Sequence, residues 1–129
     1  MTPNSASRVL ACFAGLMGAI GMALAAASAH QGDAAAARLG PASTMLMFHA
    51  CAVLGTVALT GLAVIHRRIG LIAAFAFVVG TALFSGDLAM RHYAGNALFP
   101  MAAPSGGTLL IVAWVMVALA AIWPSRRAS

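Results

Sequence analysis

The chain has no lysine and no glutamate, and Asp33 and Asp87 are its only acidic residues among 129. Charged residues make up 7% of the sequence and hydrophobic residues 63%, whereas an ordinary soluble domain is roughly a quarter charged and about 45–50% apolar. So few charges cannot cover a surface that faces water. We infer that the lipid bilayer is the main solvent of this chain, and its length predicts a single domain over residues 1–129.

The basic residues are seven arginines, which stand singly or in pairs at the ends of apolar runs. A nucleic-acid-binding protein would cluster them on one face, ideally beside aromatic side chains. We therefore expect no nucleic-acid partner. Arginines at the ends of apolar runs are typical of the charges that orient a membrane protein.

Catalytic and redox groups are also scarce. The two cysteines, Cys12 and Cys51, lie inside apolar runs and do not make a disulfide framework. The sequence offers no Ser–His–Asp set, no paired carboxylates and no Cys-x-x-Cys motif. We expect a protein that is not an enzyme and that carries no cofactor.

Four apolar runs are each long enough to cross a bilayer, which takes about 20 residues. They cover approximately residues 9–29, 43–65, 69–90 and 105–123. The polar break 30–42 contains Gly40-Pro41, a turn signal, and Ser43 and Ser105 are candidate N-caps for the runs that follow. We predict an all-α integral membrane protein folded as an antiparallel four-helix transmembrane bundle.

The arginines divide unevenly between the two sides of such a bundle. Arg8, Arg67, Arg68, Arg126 and Arg127 stand on one side, and Arg38 and Arg91 on the other. Because arginine-rich connections stay in the cytoplasm, we predict cytoplasmic N- and C-termini in a bacterial inner (plasma) membrane. An alternative is that the first run is a cleaved signal peptide, with Ala27-Ser28-Ala29 as the cleavage site.

Small residues recur along the first run, with pairs such as Gly15/Ala19 and Gly21/Ala25 spaced four apart. In lipid, faces of small residues let helices approach closely. This pattern predicts that the first helix is central to the bundle. It also suggests more small faces than four helices can use among themselves.

Short motifs give the chain a family resemblance. They are Gly18-Ala19 leading to Ala29-His30, then 48–52 (FHACA), 83–86 (LFSG), and 104–107 (PSGG) with Trp114. In this order and spacing the chain resembles the YgdD and transmembrane protein 256 type of small membrane protein, domain of unknown function 423. The resemblance spans the whole length and implies a four-span integral membrane protein, without an established reaction, substrate or cofactor. Asp87 departs from the small or uncharged residue that this family tends to have there.

Two histidines are candidate ligand-binding residues. His30 ends the first run and His49 lies about two turns into the second. Imidazoles on facing helices can ligate haem iron, and with nearby methionines they suit soft metals. The competing interpretation is that each histidine is hydrogen-bonded within the bundle.

The end of the third run and the start of the fourth hold the other polar candidates. Asp87 and Arg91 are four apart and are expected to pair along one helix face at the membrane interface, with a partly hydrated carboxylate; an acid in a span can also mark an ion path. Ser105, Gly106 and Gly107 could offer amides to an anion or pack a helix start tightly against its neighbour.

We carry two functional hypotheses from the sequence. The first is a non-catalytic accessory or assembly subunit of a larger membrane complex, whose partners are the lipid bilayer and other membrane subunits or a second copy of the chain. The second is a small-ligand-binding membrane protein that uses the region of His30 and His49 for haem, a quinone or a metal.

Overall fold

The computed structural model describes residues 4–123, and these residues form four α-helices. They are α1 (Ser5–His30), α2 (Asp33–Gly61), α3 (Arg67–Tyr93) and α4 (Ala102–Ile122). Each helix is long and apolar enough to cross a membrane. The predicted all-α, four-helix membrane architecture is therefore confirmed, while Arg126, Arg127 and the C-terminus lie outside the described residues.

The helices pack mainly in chain order, α1 on α2, α2 on α3 and α3 on α4, and α1 touches α3 only slightly. Successive helices are antiparallel. For example, the Ser43 hydroxyl donates to the Gly21 carbonyl at 2.9 Å. Ser28, which comes after Gly21 on α1, faces Gly40, which comes before Ser43 on α2. The prediction that α1 is central is wrong, because it lies at the edge of the bundle. On the opposite side, α2 and α4 flank α3 and leave a groove between them.

Two glycines set the distance between α3 and α4. A Cβ on Gly106 would lie 2.6 Å from the carbonyl oxygen of Gly80, and a Cβ on Gly80 would lie 3.0 Å from the carbonyl oxygen of Gly106. The backbones touch at this level, which only glycine permits. Hydrogen bonds between helices add to this packing, as when Ser85 Oγ donates to the Ala42 carbonyl at 2.8 Å.

Helix α2 begins ten residues before the predicted run, at Asp33 rather than Ser43. The turn predicted at Gly40-Pro41 is absent, because Pro41 lies inside the helix. Membrane helices tolerate proline where neighbouring helices and side chains satisfy the freed backbone groups. Here the residues around Pro41, Leu39 and Ala42, are fully buried, so packing outweighs the turn signal. Ser43 is a buried mid-helix residue and not an N-cap.

The starts of α3 and α4 also differ from expectation. Helix α2 ends at Gly61, and a turn containing Ala63 in the left-handed region (φ 56°) leads to Arg67. Met101, also left-handed (φ 67°), precedes α4 at its N-cap position. Ser105, the predicted cap, lies in the first turn and donates its backbone N–H to the Met101 carbonyl at 2.9 Å.

The charged residues gather at two opposite ends of the bundle. Arg8, Arg67 and Arg68 lie where α1 and α3 begin, which we name the Arg67 end. The other end, where α1 and α3 finish, carries Arg91 and is named the Asp87 end. Arg68 and Arg91 are separated by 23 residues of α3, roughly 35 Å along the axis, which matches the distance between the two headgroup regions of a bilayer.

Candidate functional site

An apolar groove of about 430 Å³ runs between α2 and α4, with α3 as its floor. Its walls include Met45, Phe48 and His49 from α2 and Gly107 and Trp114 from α4, and Phe84 of α3 lies below them. The groove opens on the face of the bundle that a membrane would cover with lipid.

His49 and Trp114 join the two walls of the groove. The indole N–H of Trp114 donates to Nε2 of His49 at 3.3 Å, and Nδ1 of His49 lies 2.9 Å from the Met45 carbonyl oxygen. Indole nitrogen is only a donor and a carbonyl only an acceptor. His49 is therefore the neutral tautomer with its proton on Nδ1, and both ring nitrogens are satisfied.

Aromatic rings hold this pair in place. The Phe77 ring lies 5.5 Å from His49 and 4.8 Å from Trp114, centroid to centroid, and its contact with Trp114 is edge-on. Phe48 packs edge-on against His49 at 5.2 Å. Edge-to-face contacts of this kind stabilise aromatic clusters beyond their buried area. The site is thus a packed, nearly apolar aromatic cluster with one hydrogen bond between side chains, that of Trp114 and His49.

The structure does not bring His30 and His49 together. Met17 packs with Leu46 and Ala50, so His49 lies near the level of Met17 on α1. His30 is thirteen residues further along α1, roughly 20 Å along the axis. A start of α2 at Ser43 left a joint site open, although it already set the two histidines at different depths. The true start at Asp33 carries His49 deeper into the bundle.

Asp87 is paired with Arg91, as expected. Its Oδ2 accepts from Arg91 Nε at 2.9 Å, and Arg91 is 47% exposed while Asp87 is fully buried. The expectation of a partly hydrated carboxylate is wrong. Instead Oδ1 accepts the backbone N–H of Leu98 at 2.9 Å, and the backbone of Ala103 is a further hydrogen-bonding neighbour. Asp87 therefore ties the end of α3 to the following loop and to the first turn of α4.

Two further contacts connect other helices to this end. Arg38 of α2 donates from Nη1 to the backbone carbonyl of Arg91 at 2.7 Å. His92 lies beside Gln31, with Nε2 3.3 Å from the amide oxygen. Three segments at the Asp87 end, namely the start of α2, the end of α3 and the α3–α4 loop, thus meet around one ion pair.

Ser105, Gly106 and Gly107 do not form an anion site. The amides of Gly106 and Gly107 fall beyond the first four of α4, so the helix itself satisfies them. Gly106 is buried against Gly80, and Gly107 lines the groove. The tight helix start, one of the two interpretations of these residues, is the one observed.

Soft-metal and multi-residue metal sites find little support in this geometry. Among residues 4–123 no group of three or more His, Cys, Asp or Glu side chains converges. Met45 lines the groove, while Met47 lies on another side of α2, where its sulfur accepts from Ser43 Oγ at 3.7 Å. Cys12 and Cys51 are free thiols on exposed faces.

A family model described as "Protein of unknown function (DUF423)" matches residues 9–107. The chain belongs to this family. No solved structure matches the chain. The DUF423 match contains His49, Asp87 and Arg91 and ends at Gly107, so Trp114, the partner of His49, lies beyond it.

Two residues of this DUF423 protein were missed from the sequence as site residues. Trp114 was considered only as part of the family resemblance, and Arg38 only as a charge that orients the chain. The spacing could have indicated Arg38, since it lies seven residues before Met45 and shares its helix face. No sequence signal shows that Trp114 contacts α2, because that contact depends on how α2 and α4 are each packed against α3.

Proposed function

We propose that this DUF423 protein is a non-catalytic accessory or assembly subunit of a larger complex in a bacterial inner membrane. The observation that carries the proposal is a ridge of small residues on the outward face of α1. Ala11, Gly15, Ala19 and Ala23 follow one another at intervals of four, and all four are exposed. We call this row the α1 ridge.

The α1 ridge is distinct from the small residues that hold the bundle together. Gly21, on another face of the same helix, is buried, and a Cβ there would meet the Met47 side chain at 2.7 Å. A Cβ on Gly15 or Gly18 would meet nothing within 4 Å. The close approach that these residues allow is therefore left unused by α2, α3 and α4.

The partner that suits the α1 ridge is a transmembrane helix of another subunit. Small residues four apart let two helices cross at short distance, and van der Waals contact then replaces the hydrophobic drive that is missing in lipid. Exposed Leu16 and Ile20 flank the ridge and would pack around the crossing helix. Pairing with a second copy of the chain is the competing occupant, and the test below distinguishes it.

The proposed orientation places the Arg67 end in the cytoplasm. Three described arginines, Arg8, Arg67 and Arg68, lie at that end, whereas Arg38 and Arg91 lie at the Asp87 end. The positive-inside rule favours the arginine-rich end as cytoplasmic. Reporter fusions in the 62–66 turn and in the 94–101 loop test this, and activity of a periplasmic reporter in the 62–66 turn would contradict it.

Ligation of haem, a quinone or a metal by His30 and His49 together is not part of this proposal. The two side chains are separated along the bundle, and both nitrogens of His49 are engaged by Trp114 and Met45.

Purification in mild detergent tests the accessory role. Wild-type protein is expected to bring down a stoichiometric membrane partner, and Gly15→Leu is expected to lose it because the leucine fills the α1 ridge. Gly55→Leu is the matched control, since a Cβ at exposed Gly55 also meets nothing within 4 Å. Recovery of wild-type monomer without a partner would contradict the proposal, and so would equal recovery of the partner with both variants. If a homodimer is found instead and is lost only in Gly15→Leu, the occupant of the α1 ridge is a second copy of the chain.

A further inference from the structure

Two arginines from different helices meet at the Asp87 end of the bundle. Nη1 of Arg38 donates to the Arg91 backbone carbonyl, and both side chains are exposed. A guanidinium group carries five N–H donors. Arg91 uses Nε on Asp87, and Arg38 uses one N–H on the carbonyl, so both retain N–H donors that these contacts do not use.

The arginines share helix faces with the groove. Arg38 lies seven residues before Met45 on α2, and Arg91 lies seven residues after Phe84 on α3; Met45 and Phe84 both line the groove. Seven residues are about two turns, so each arginine stands roughly 10 Å above a groove residue on the same face. An apolar channel in the hydrocarbon region thus leads to a pair of cations near the headgroup region.

We propose that Arg38 and Arg91 bind the phosphate of an anionic phospholipid and that one acyl chain of that lipid lies in the groove between α2 and α4. The charge of Arg38 suits an anion: Asp87 pairs with Arg91, whereas Arg38 forms no salt bridge among the described residues, although Asp33 stands five residues before it on α2. Arginine also matches phosphate geometry with paired N–H donors.

The chemistry of the groove selects a hydrocarbon chain. Its lining is almost wholly apolar, and its polar ring nitrogens are already engaged between His49 and Trp114. A quinone carbonyl would meet no unengaged side-chain donor among the lining residues of the groove, because the Thr44 hydroxyl too is engaged and donates to the Gly40 carbonyl at 3.0 Å. A saturated chain needs no such donor.

The site is tested by native mass spectrometry of the full chain in detergent with added phosphatidylglycerol or phosphatidylcholine of identical acyl chains. Wild-type protein is expected to retain one phosphatidylglycerol in preference to phosphatidylcholine. Arg38→Gln is expected to weaken phosphatidylglycerol binding about fivefold, the effect of one arginine near an anionic lipid surface. Arg68→Gln, at the opposite end, is the control and is expected to bind as wild type.

Two further variants separate headgroup from chain and protect against misfolding. The double change Asp87→Asn with Arg91→Gln removes the second cation without stranding a buried acid, and it is expected to abolish the preference for phosphatidylglycerol. Gly107→Leu has space for its Cβ, whose nearest neighbour is Phe84 at 3.9 Å, and is expected to weaken binding of both lipids by filling the groove, whereas Gly55→Leu is not.

Equal binding of the two lipids to wild type, or equal behaviour of Arg38→Gln and Arg68→Gln, would overturn the headgroup site. Wild-type-like binding by Gly107→Leu would overturn the acyl-chain site. Displacement of the bound lipid by excess inorganic phosphate would also overturn the proposal, because it would identify a phosphate site that does not need the chain.

Discussion

Trp114 on α4 donates its indole N–H to Nε2 of His49 on α2 at 3.3 Å, across the open side of the bundle. The two helices are otherwise held in position by their packing on α3. This bond therefore fixes the width of the groove. Together with the Met45 carbonyl, it gives both ring nitrogens of a histidine near the middle of a membrane helix a hydrogen-bond partner.

Removing only the donor isolates this interaction. Trp114→Phe keeps an aromatic ring against Phe77 but leaves Nε2 of His49 without a partner, and we expect a loss of about 1 kcal/mol in the free energy of unfolding. Thermal unfolding in detergent measures it. Trp123→Phe, at the exposed end of α4, is the control, and an equal shift in both variants would show that the indole N–H is not what matters.

The second prediction concerns the stability of Asp87 variants. A buried Asp87 should be costly to replace, whereas an exposed ion pair at the membrane interface would lose little stability. Asp87→Asn replaces a buried carboxylate that accepts from Arg91 and Leu98, and hydrogen bonds to charged groups contribute about 1.5–3 kcal/mol each. We expect a loss of roughly 2 kcal/mol or more. The loop 94–101 should also become more accessible to protease, because its anchor to α3 is weakened.

The matched comparison measures the stability of Arg91→Gln and of the double variant Asp87→Asn with Arg91→Gln. Arg91→Gln leaves the buried acid without its cation and should destabilise the protein about as much as Asp87→Asn, while the double change should recover part of the loss. Near-wild-type stability of Asp87→Asn beside a strongly destabilised Arg91→Gln would instead fit a hydrated carboxylate at the interface.

The contact of α3 and α4 gives a third prediction through two adjacent glycines. Gly106→Ala forces a Cβ against the backbone of Gly80 and Phe84, at 2.6 and 2.7 Å, so the helices must separate. Overpacking of this kind costs about 1–3 kcal/mol. Gly107→Ala meets nothing closer than 3.9 Å and should be neutral or slightly stabilising, since alanine favours helix. Equal effects of the two changes on thermal unfolding would contradict the close approach.

The four membrane helices were readable from hydropathy, because long apolar runs respond directly to the bilayer. The start of α2 was not. Gly40-Pro41 is a turn signal in water, but tertiary packing of Leu39 and Ala42 continues the helix through it. That single error placed His49 too near the end of α2, and so left open a joint site with His30 that the structure does not form.

The site was harder to predict than the helices. Pairing of Asp87 with Arg91 follows from their spacing of four, whereas burial of the carboxylate depends on a loop that returns Leu98 to it. The groove depends on α2 and α4 standing apart on α3, a relation between non-consecutive helices that no local pattern encodes.

The α1 ridge is the feature on which the proposed function depends, and photo-crosslinking inside the membrane tests it most directly. A photoreactive amino acid is placed at Ala19 on the ridge and, as the control, at Ile72, which is 57% exposed on α3. The account predicts one discrete protein adduct from Ala19 and none from Ile72. The same protein adducts from both positions, or lipid adducts alone from Ala19, would contradict it.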